Sequence, residues 1–258
     1  METDEAFALA RALREQMLRD GVAPEDFVVG PDYAGSVGTR VLDVYGDAAL
    51  EFLQSVDRQT LTAGAIVVRG DAPRVSAFLE SFGVFAQEHE TGMIRTDLAD
   101  VPRPPLPDPL RLTRVQLGDL ADPELPTTAA FAAAVEAEDG PPPGSMLPAI
   151  LRMADRAPVQ LFAAVDGAGT IQATSAATAS GTAGMVFGVG TMHAWRGRGL
   201  GTAMTAAAVH GAAELGATTL LLDATEMGAS IYRRLGFVAY APAVEWHTRG
   251  SQVPPSAN

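Results

Sequence analysis

Five prolines crowd into nine residues, at Pro102, Pro104, Pro105, Pro107 and Pro109 of the stretch 101–109. Proline fixes φ and donates no backbone hydrogen bond, so this stretch can enter neither a helix interior nor a central strand. It reads as an extended linker. The chain of 258 residues is thereby expected to hold an N-terminal domain over 1–100, a larger domain over 110–249 and a disordered tail over 250–258.

Missing residue types exclude whole classes of chemistry. All 18 basic residues are Arg, which rules out a P-loop and a Schiff-base lysine. With no Cys there is no disulfide, thiolate zinc site, iron–sulfur cluster or Cys nucleophile. His89, His193, His210 and His247 lack ligand spacing, so no metal is expected. A net charge of -13 argues against nucleic acid as a partner. Residues 167–195 carry no charge and could span a bilayer in length, but their Gly, Ser and Thr content reads as a pair of strands. The acidic start, Met1-Glu2-Thr3-Asp4-Glu5, is no signal peptide. The expectation is a cytoplasmic protein without a membrane partner.

Hydrophobic periodicity predicts helices over 5–19, 48–56, 73–82, 124–138, 146–155, 199–215 and 230–235. In the first of these, Phe7, Leu9, Leu13 and Met17 are the apolar positions. Strands are predicted over 65–69, 85–96, 110–115, 159–166, 171–180, 184–192, 218–223 and 238–246, with a hairpin turn at Asp166-Gly167-Ala168-Gly169. Strands interleaved with single helices indicate an α/β fold, of the α+β mixed-sheet kind.

The most informative string runs from Val189 to Thr202, where a strand hands over to a helix. Gly197, Gly199 and Gly201 let the backbone turn tightly and leave no Cβ in the way of a ligand. The first amides of the following helix have no internal partner and carry the positive end of its dipole. Such a turn can hold a phosphate or pyrophosphate, with Arg196 and Arg198 adding charge-assisted contacts. It can equally be a tight turn with solvated arginines. A Gly-x-Gly-x-x-Gly dinucleotide fingerprint does not fit: counted from Gly197 the sixth position is Thr202, and from Gly199 it is Met204.

The pattern that does fit is Arg196-x-x-Gly199-x-Gly201, and about thirty residues later comes Ile231-Tyr232-Arg233-Arg234-Leu235-Gly236-Phe237. Together they resemble the GNAT superfamily of acyl-CoA-dependent N-acyltransferases, whose pyrophosphate loop reads Arg/Gln-x-x-Gly-x-Gly/Ala and whose later signature is Tyr-x-x-x-Gly-Phe. The resemblance covers residues 110–247. It implies a GNAT fold for the C-terminal domain and acetyl-CoA as co-substrate. It further implies that Val189 and Thr191 hold the pantetheine, and that Arg196, Gly197, Arg198, Gly199, Leu200, Gly201 and Thr202 surround the pyrophosphate. Tyr232 takes the role of catalytic acid, since a phenol, with an ordinary pKa of about 10, suits a departing thiolate.

No single general base emerges. His193, Glu136, Glu138, Asp139, Asp223 and Glu226 are all placed to act, and a solvated or salt-bridged role fits each as well. The default mechanism is direct attack by the amine in a ternary complex, with water relaying its proton. The implied function is transfer of an acetyl group to a small-molecule primary amine. The alternatives are a non-catalytic acyl-CoA-binding module and a protein N-acetyltransferase.

In the first hundred residues, Ile66-Val67-Val68-Arg69 and Phe78-Leu79-Glu80-Ser81-Phe82-Gly83-Val84 echo Leu220-Leu221-Leu222-Asp223 and 231–237. This half is either a smaller, degenerate GNAT-like unit without a cofactor loop or an unrelated pair of strand–helix–strand segments. Its expected role is to cover the acceptor pocket or to support a homodimer.

Overall fold

The uncharged run becomes a hairpin inside a sheet, with a further strand on each of its flanks. The computed structural model describes residues 3–21, 28–35, 41–63, 65–83, 85–120, 150 and 154–248. In it β8 (Ile171–Ser180) pairs antiparallel with β9 (Ala183–Thr191). β8 is buried on both faces, which its Ala, Ser and Thr side chains are small enough to allow. Each buried hydroxyl donates to a carbonyl: Thr174 to Gly188 at 3.0 Å, Ser175 to Met204 at 2.7 Å and Thr178 to Pro158 at 2.9 Å. Left unpaired, each would cost about 1–3 kcal/mol.

The chain divides into two compact units, one of Met1–Met93, Asp223–Met227 and Ala239–Asn258, the other of Ile94–Leu222 and Gly228–Val238. β5 (Phe85–Arg95) carries the chain from the first to the second.

The first unit holds α1 (Thr3–Gly21), β1 (Val28–Gly30), β2 (Tyr33–Gly35), β3 (Val41–Val44), α2 (Leu50–Ser55), α3 (Arg58–Leu61), β4 (Ala65–Arg69) and α4 (Pro73–Glu80). β1, β2 and β3 form an antiparallel meander, β4 joins β3 in parallel, and β11 (Val238–Thr248) adds antiparallel to β4 with Ala243 opposite Arg69 and Trp246 opposite Ile66. Leu42, Leu53, Leu61, Ile66, Val75, Leu79 and Trp246 make one core between this sheet and the helices. Pro73 opens α4, where its fixed φ is preorganised, and Asp47 accepts from the amides of Arg74 and Val75 at 2.9 and 3.0 Å. Two features depart from the sequence expectation. The strands β1 to β3 are too short and too rich in Gly and Asp to give a period-2 signal. In α1 the buried stripe is Ala6, Ala10 and Arg14, while Phe7, Leu9, Leu13 and Met17 are only half-buried.

The second unit holds β6 (Arg111–Val115), β7 (Val159–Val165), the β8–β9 hairpin, α5 (Leu200–Glu214), the first part of β10 (Thr219–Thr225) and most of α6 (Glu226–Arg234). β6 to β9 are antiparallel neighbours and β10 is parallel to β9. α5 lies on β7, β8 and β9 with Leu200, Met204, Ala208, Val209 and Ala212 buried. Gly211 permits this approach: a Cβ there would lie 2.7 Å from the Phe162 ring. α6 begins four residues before the expected start at Ser230. The predicted helix over 124–138, with Glu136, Glu138 and Asp139, lies outside the described residues, as do most of 146–155 and the tail over 250–258. No helix among the described residues is long and apolar enough to cross a membrane.

Candidate active site

β9 is interrupted where the sequence places Gly188. Thr174 faces Gly190 but Ala176 faces Phe187, so two residues, Gly188 and Val189, oppose the single Ser175. Gly188 takes φ +58° to make this bulge. The parallel ladder with β10 ends at Met185 opposite Leu221, and β9 continues past it to Thr191. Met192 donates to Gln172 of β8 at 2.9 Å. Alternation along a strand then turns the Thr191 amide and the Val189 carbonyl away from β8, onto the opposite edge. Arg196 Nε donates to the Thr191 carbonyl on that edge at 3.2 Å.

A short 3-10 turn over His193–Trp195 leads from β9 into the glycines. Gly197 and Gly199 adopt φ +74° and +84°, a left-handed conformation that other residues reach only at a cost of about 1–2 kcal/mol. A Cβ at either would meet nothing within 4 Å, so open space lies over the turn. Gly199 is the N-cap of α5 and has no side chain to cap the helix; its carbonyl accepts from Ala203 at 3.1 Å. The amides of Leu200, Gly201 and Thr202 precede that first bond and have no partner in the helix. Arg196 and Arg198 are exposed, and the Arg198 guanidinium lies 4.8 Å from the centroid of the Trp195 ring. Free amides, a positive helix end, two arginines and open space fit a diphosphate.

Tyr232 lies on α6, and the packing of Ile231 brings α6 onto the turn: a Cβ on Gly201 would approach Ile231 Cδ1 to 2.8 Å. The Tyr-x-x-x-Gly-Phe spacing has a structural cause of its own. Phe237 N–H donates to the Tyr232 carbonyl and Gly236 N–H to the Arg233 carbonyl, both at 3.0 Å, with Gly236 at φ +81°. That is a Schellman cap, and the Tyr232 and Phe237 rings supply its apolar contact, edge to face at 6.2 Å. Tyr232 is half-buried. The spacing therefore secures the end of α6 whatever chemistry the phenol performs.

Of the bases considered, His193 and Glu226 are exposed. Asp223 lies within β10, in the first unit, and is bound to two guanidiniums. Arg14 Nη2 donates to both its oxygens at 2.8 Å, and Arg69 Nη1 and Nη2 donate to Oδ1 and Oδ2 at 2.7 and 3.0 Å. Arg69 Nε also donates to Asp43 at 2.8 Å, and Arg14 Nε donates to the Tyr240 hydroxyl at 2.8 Å. The side chains of Arg14, Arg69 and Asp43 are at most 4% exposed and that of Asp223 22%. Burial alone would raise the Asp223 pKa, but Arg14 and Arg69 outweigh it and hold the carboxyl far below the usual carboxylate range. Such a group is a poor proton acceptor. Periodicity missed this cluster because a charged residue at one position of a strand or helix ordinarily marks the solvent face.

Residues 130–237 match the model of the Acetyltransferase (GNAT) family. In structure the chain is similar to a GCN5-related N-acetyltransferase from Kribbella flavida, at 22% identity and TM-score 0.59 over 96% of this chain and 97% of that one. It is similar also to a GCN5-related N-acetyltransferase from Sphaerobacter thermophilus, at 21% identity and TM-score 0.51 over 95% and 93%. A third similarity is to a tandem GNAT protein from the clavulanic acid biosynthesis pathway, at 15% identity and TM-score 0.51 over 94% of each chain. At these identities the likeness is one of fold. No curated protein matches the chain in sequence.

Proposed function

Since residues 130–237 are a domain of the acetyltransferase (GNAT) family, a family of acyltransferases, we propose that the protein transfers an acetyl group from acetyl-CoA to the primary amine of a small molecule. The observation that carries this reading is the α5 turn, where three helical amides without a partner in the helix open onto space above two left-handed glycines. A diphosphate would bind there by the amides of Leu200, Gly201 and Thr202, with Arg196 and Arg198 beside it. The edge of β9 beyond Met185, with the Thr191 amide and the Val189 carbonyl, would hold the amide groups of a pantetheine arm. When bound, acetyl-CoA supplies the activated acyl group. Tyr232 would hold the proton that a leaving thiolate needs. With Asp223 committed to two arginines, water is the better carrier for the proton lost by the amine.

The first unit supports the reading of a degenerate counterpart. It repeats the antiparallel–antiparallel–parallel order of β7 to β10 in β1 to β4. Its turn after β3 is closed by its own carboxylate: Asp32 Oδ2 accepts from the Ala48 amide at 3.2 Å and lies where a Cβ on Gly46 would fall. An anion approaching that turn would meet a negative charge.

Thiol release from acetyl-CoA, measured across a panel of amines, tests the function. The chain has no Cys, so every thiol detected comes from the cofactor. Turnover with at least one small amine is expected. Calorimetric binding of acetyl-CoA without turnover on any amine would favour the non-catalytic module, and acetyl labelling of protein alone would favour a protein acceptor.

A further inference from the structure

Arg95 ends β5 within the second unit, and its guanidinium reaches the end of α6. Nη1 donates to the Leu235 carbonyl and Nε to the Asp97 carbonyl. The last carbonyls of a helix need partners from outside its ladder. Here Tyr232 is served by Phe237 and by Leu235, and Arg233 by Gly236, all at 3.0 Å; Leu235 is served by Arg95. The cation also faces the negative end of the helix dipole. Gly236 is required twice over: its φ is +81°, and a Cβ would run into the Arg95 guanidinium. Arg95 thus fixes Leu235 and Gly236, the two residues through which the cap folds back onto Tyr232.

We propose that Arg95 is a positioning residue for Tyr232. It touches no reacting atom; it holds the last turn of α6 so that the phenol keeps one orientation. The inference rests on the reading of Tyr232 as the acid. The fork of the guanidinium lets one side chain tie Asp97 and Leu235 together, which a lysine ammonium with its single nitrogen does less rigidly.

The test uses the full chain with Arg95→Gln, Arg95→Lys, Tyr232→Phe and the double variant Arg95→Gln/Tyr232→Phe. Arg95→Gln should lower kcat on the order of tenfold, while the calorimetric Kd for acetyl-CoA stays within about twofold and Arg95→Lys recovers part of the rate. In the double variant the Arg95 change should cost nothing beyond Tyr232→Phe, because both act through one group. A multiplicative loss would overturn the proposal. An independent readout is the 19F spectrum of protein labelled with 3-fluorotyrosine, in which the Tyr232 line is the one lost in Tyr232→Phe. That line should be sharp in the wild type and broadened or split in Arg95→Gln; an unchanged line and unchanged kcat overturn the proposal. Full turnover by Tyr232→Phe overturns the acid role itself and catalytic positioning with it. A slow Tyr232→Phe beside a fully active Arg95→Gln overturns the positioning alone.

Discussion

Arg69 and Asp223 stand 154 positions apart and meet in register, Nη1 on Oδ1 at 2.7 Å and Nη2 on Oδ2 at 3.0 Å. Arg14 and Asp43 complete a cluster of two positive and two negative charges. Asp223→Ala would leave two buried guanidiniums sharing Asp43, and breaking a buried pair in this way costs about 3–5 kcal/mol. Urea unfolding should register that loss. Since the Asp223 carboxyl is lowered in the folded state, its contribution is complete above the unfolded value of about 4 and disappears as pH falls below it. The stability gap between wild type and Asp223→Ala should therefore be level from pH 6 to 8 and narrow toward pH 3.

Gly199→Ala and Gly201→Ala separate backbone strain from crowding. The first places a Cβ in open space but at φ +84°, so it should cost about 1–2 kcal/mol in stability and weaken acetyl-CoA binding severalfold. At Gly201 the clash is with a terminal methyl of Ile231, which can rotate away, and Ala is the better helix former. Calorimetry should find Gly201→Ala close to wild type in both respects.

Tyr232→Phe keeps the ring contact with Phe237, so its stability should lie within about 0.5 kcal/mol of the wild type. Its kcat should fall about 10²-fold or more if the phenol gives up the proton. Phe237, 2% exposed, behaves oppositely: Phe237→Ala should lose about 3–5 kcal/mol. Steady-state rates beside thermal melts distinguish the two.

Gly211→Val should separate α5 from β7. Its Cβ would fall 2.7 Å from the Phe162 ring and 2.8 Å from Gln160 Oε1, and overpacking of this kind costs about 1–3 kcal/mol. Chemical denaturation provides the check.

What was legible in the sequence was what a short stretch decides by itself. Gly197 and Gly199 stand at positive φ because the backbone there admits little else, so their spacing announces the turn, whereas Gly236 was legible only as part of Tyr-x-x-x-Gly-Phe and its cap is a finding of the structure. The hairpin at Asp166 was equally local. Arg14, Asp43, Arg69 and Asp223 lie on four separate elements, and no spacing within any one of them foretells their meeting. Asp223 was noticed as an acid near a strand end, but its two guanidinium partners could not be. The bulge at Gly188 did leave a signal, a glycine inside an apolar strand, but Gly184 and Gly190 stand in the same strand and nothing in the sequence singles out one of the three.

The pairing of β11 with β4 sets an order on biosynthesis. Ala243 follows its neighbour Arg69 by about 170 residues; at roughly 5–20 residues per second the ribosome needs on the order of 10–30 s to supply it. Throughout that interval β4 has one flank without its final strand, and Asp223, the partner of Arg14 and Arg69, also comes late. The second unit's hairpin and α5 emerge in between and need no such wait. A nascent chain stalled before β11 should accordingly bind holdase chaperones through its earliest segments, although these were the first to be made.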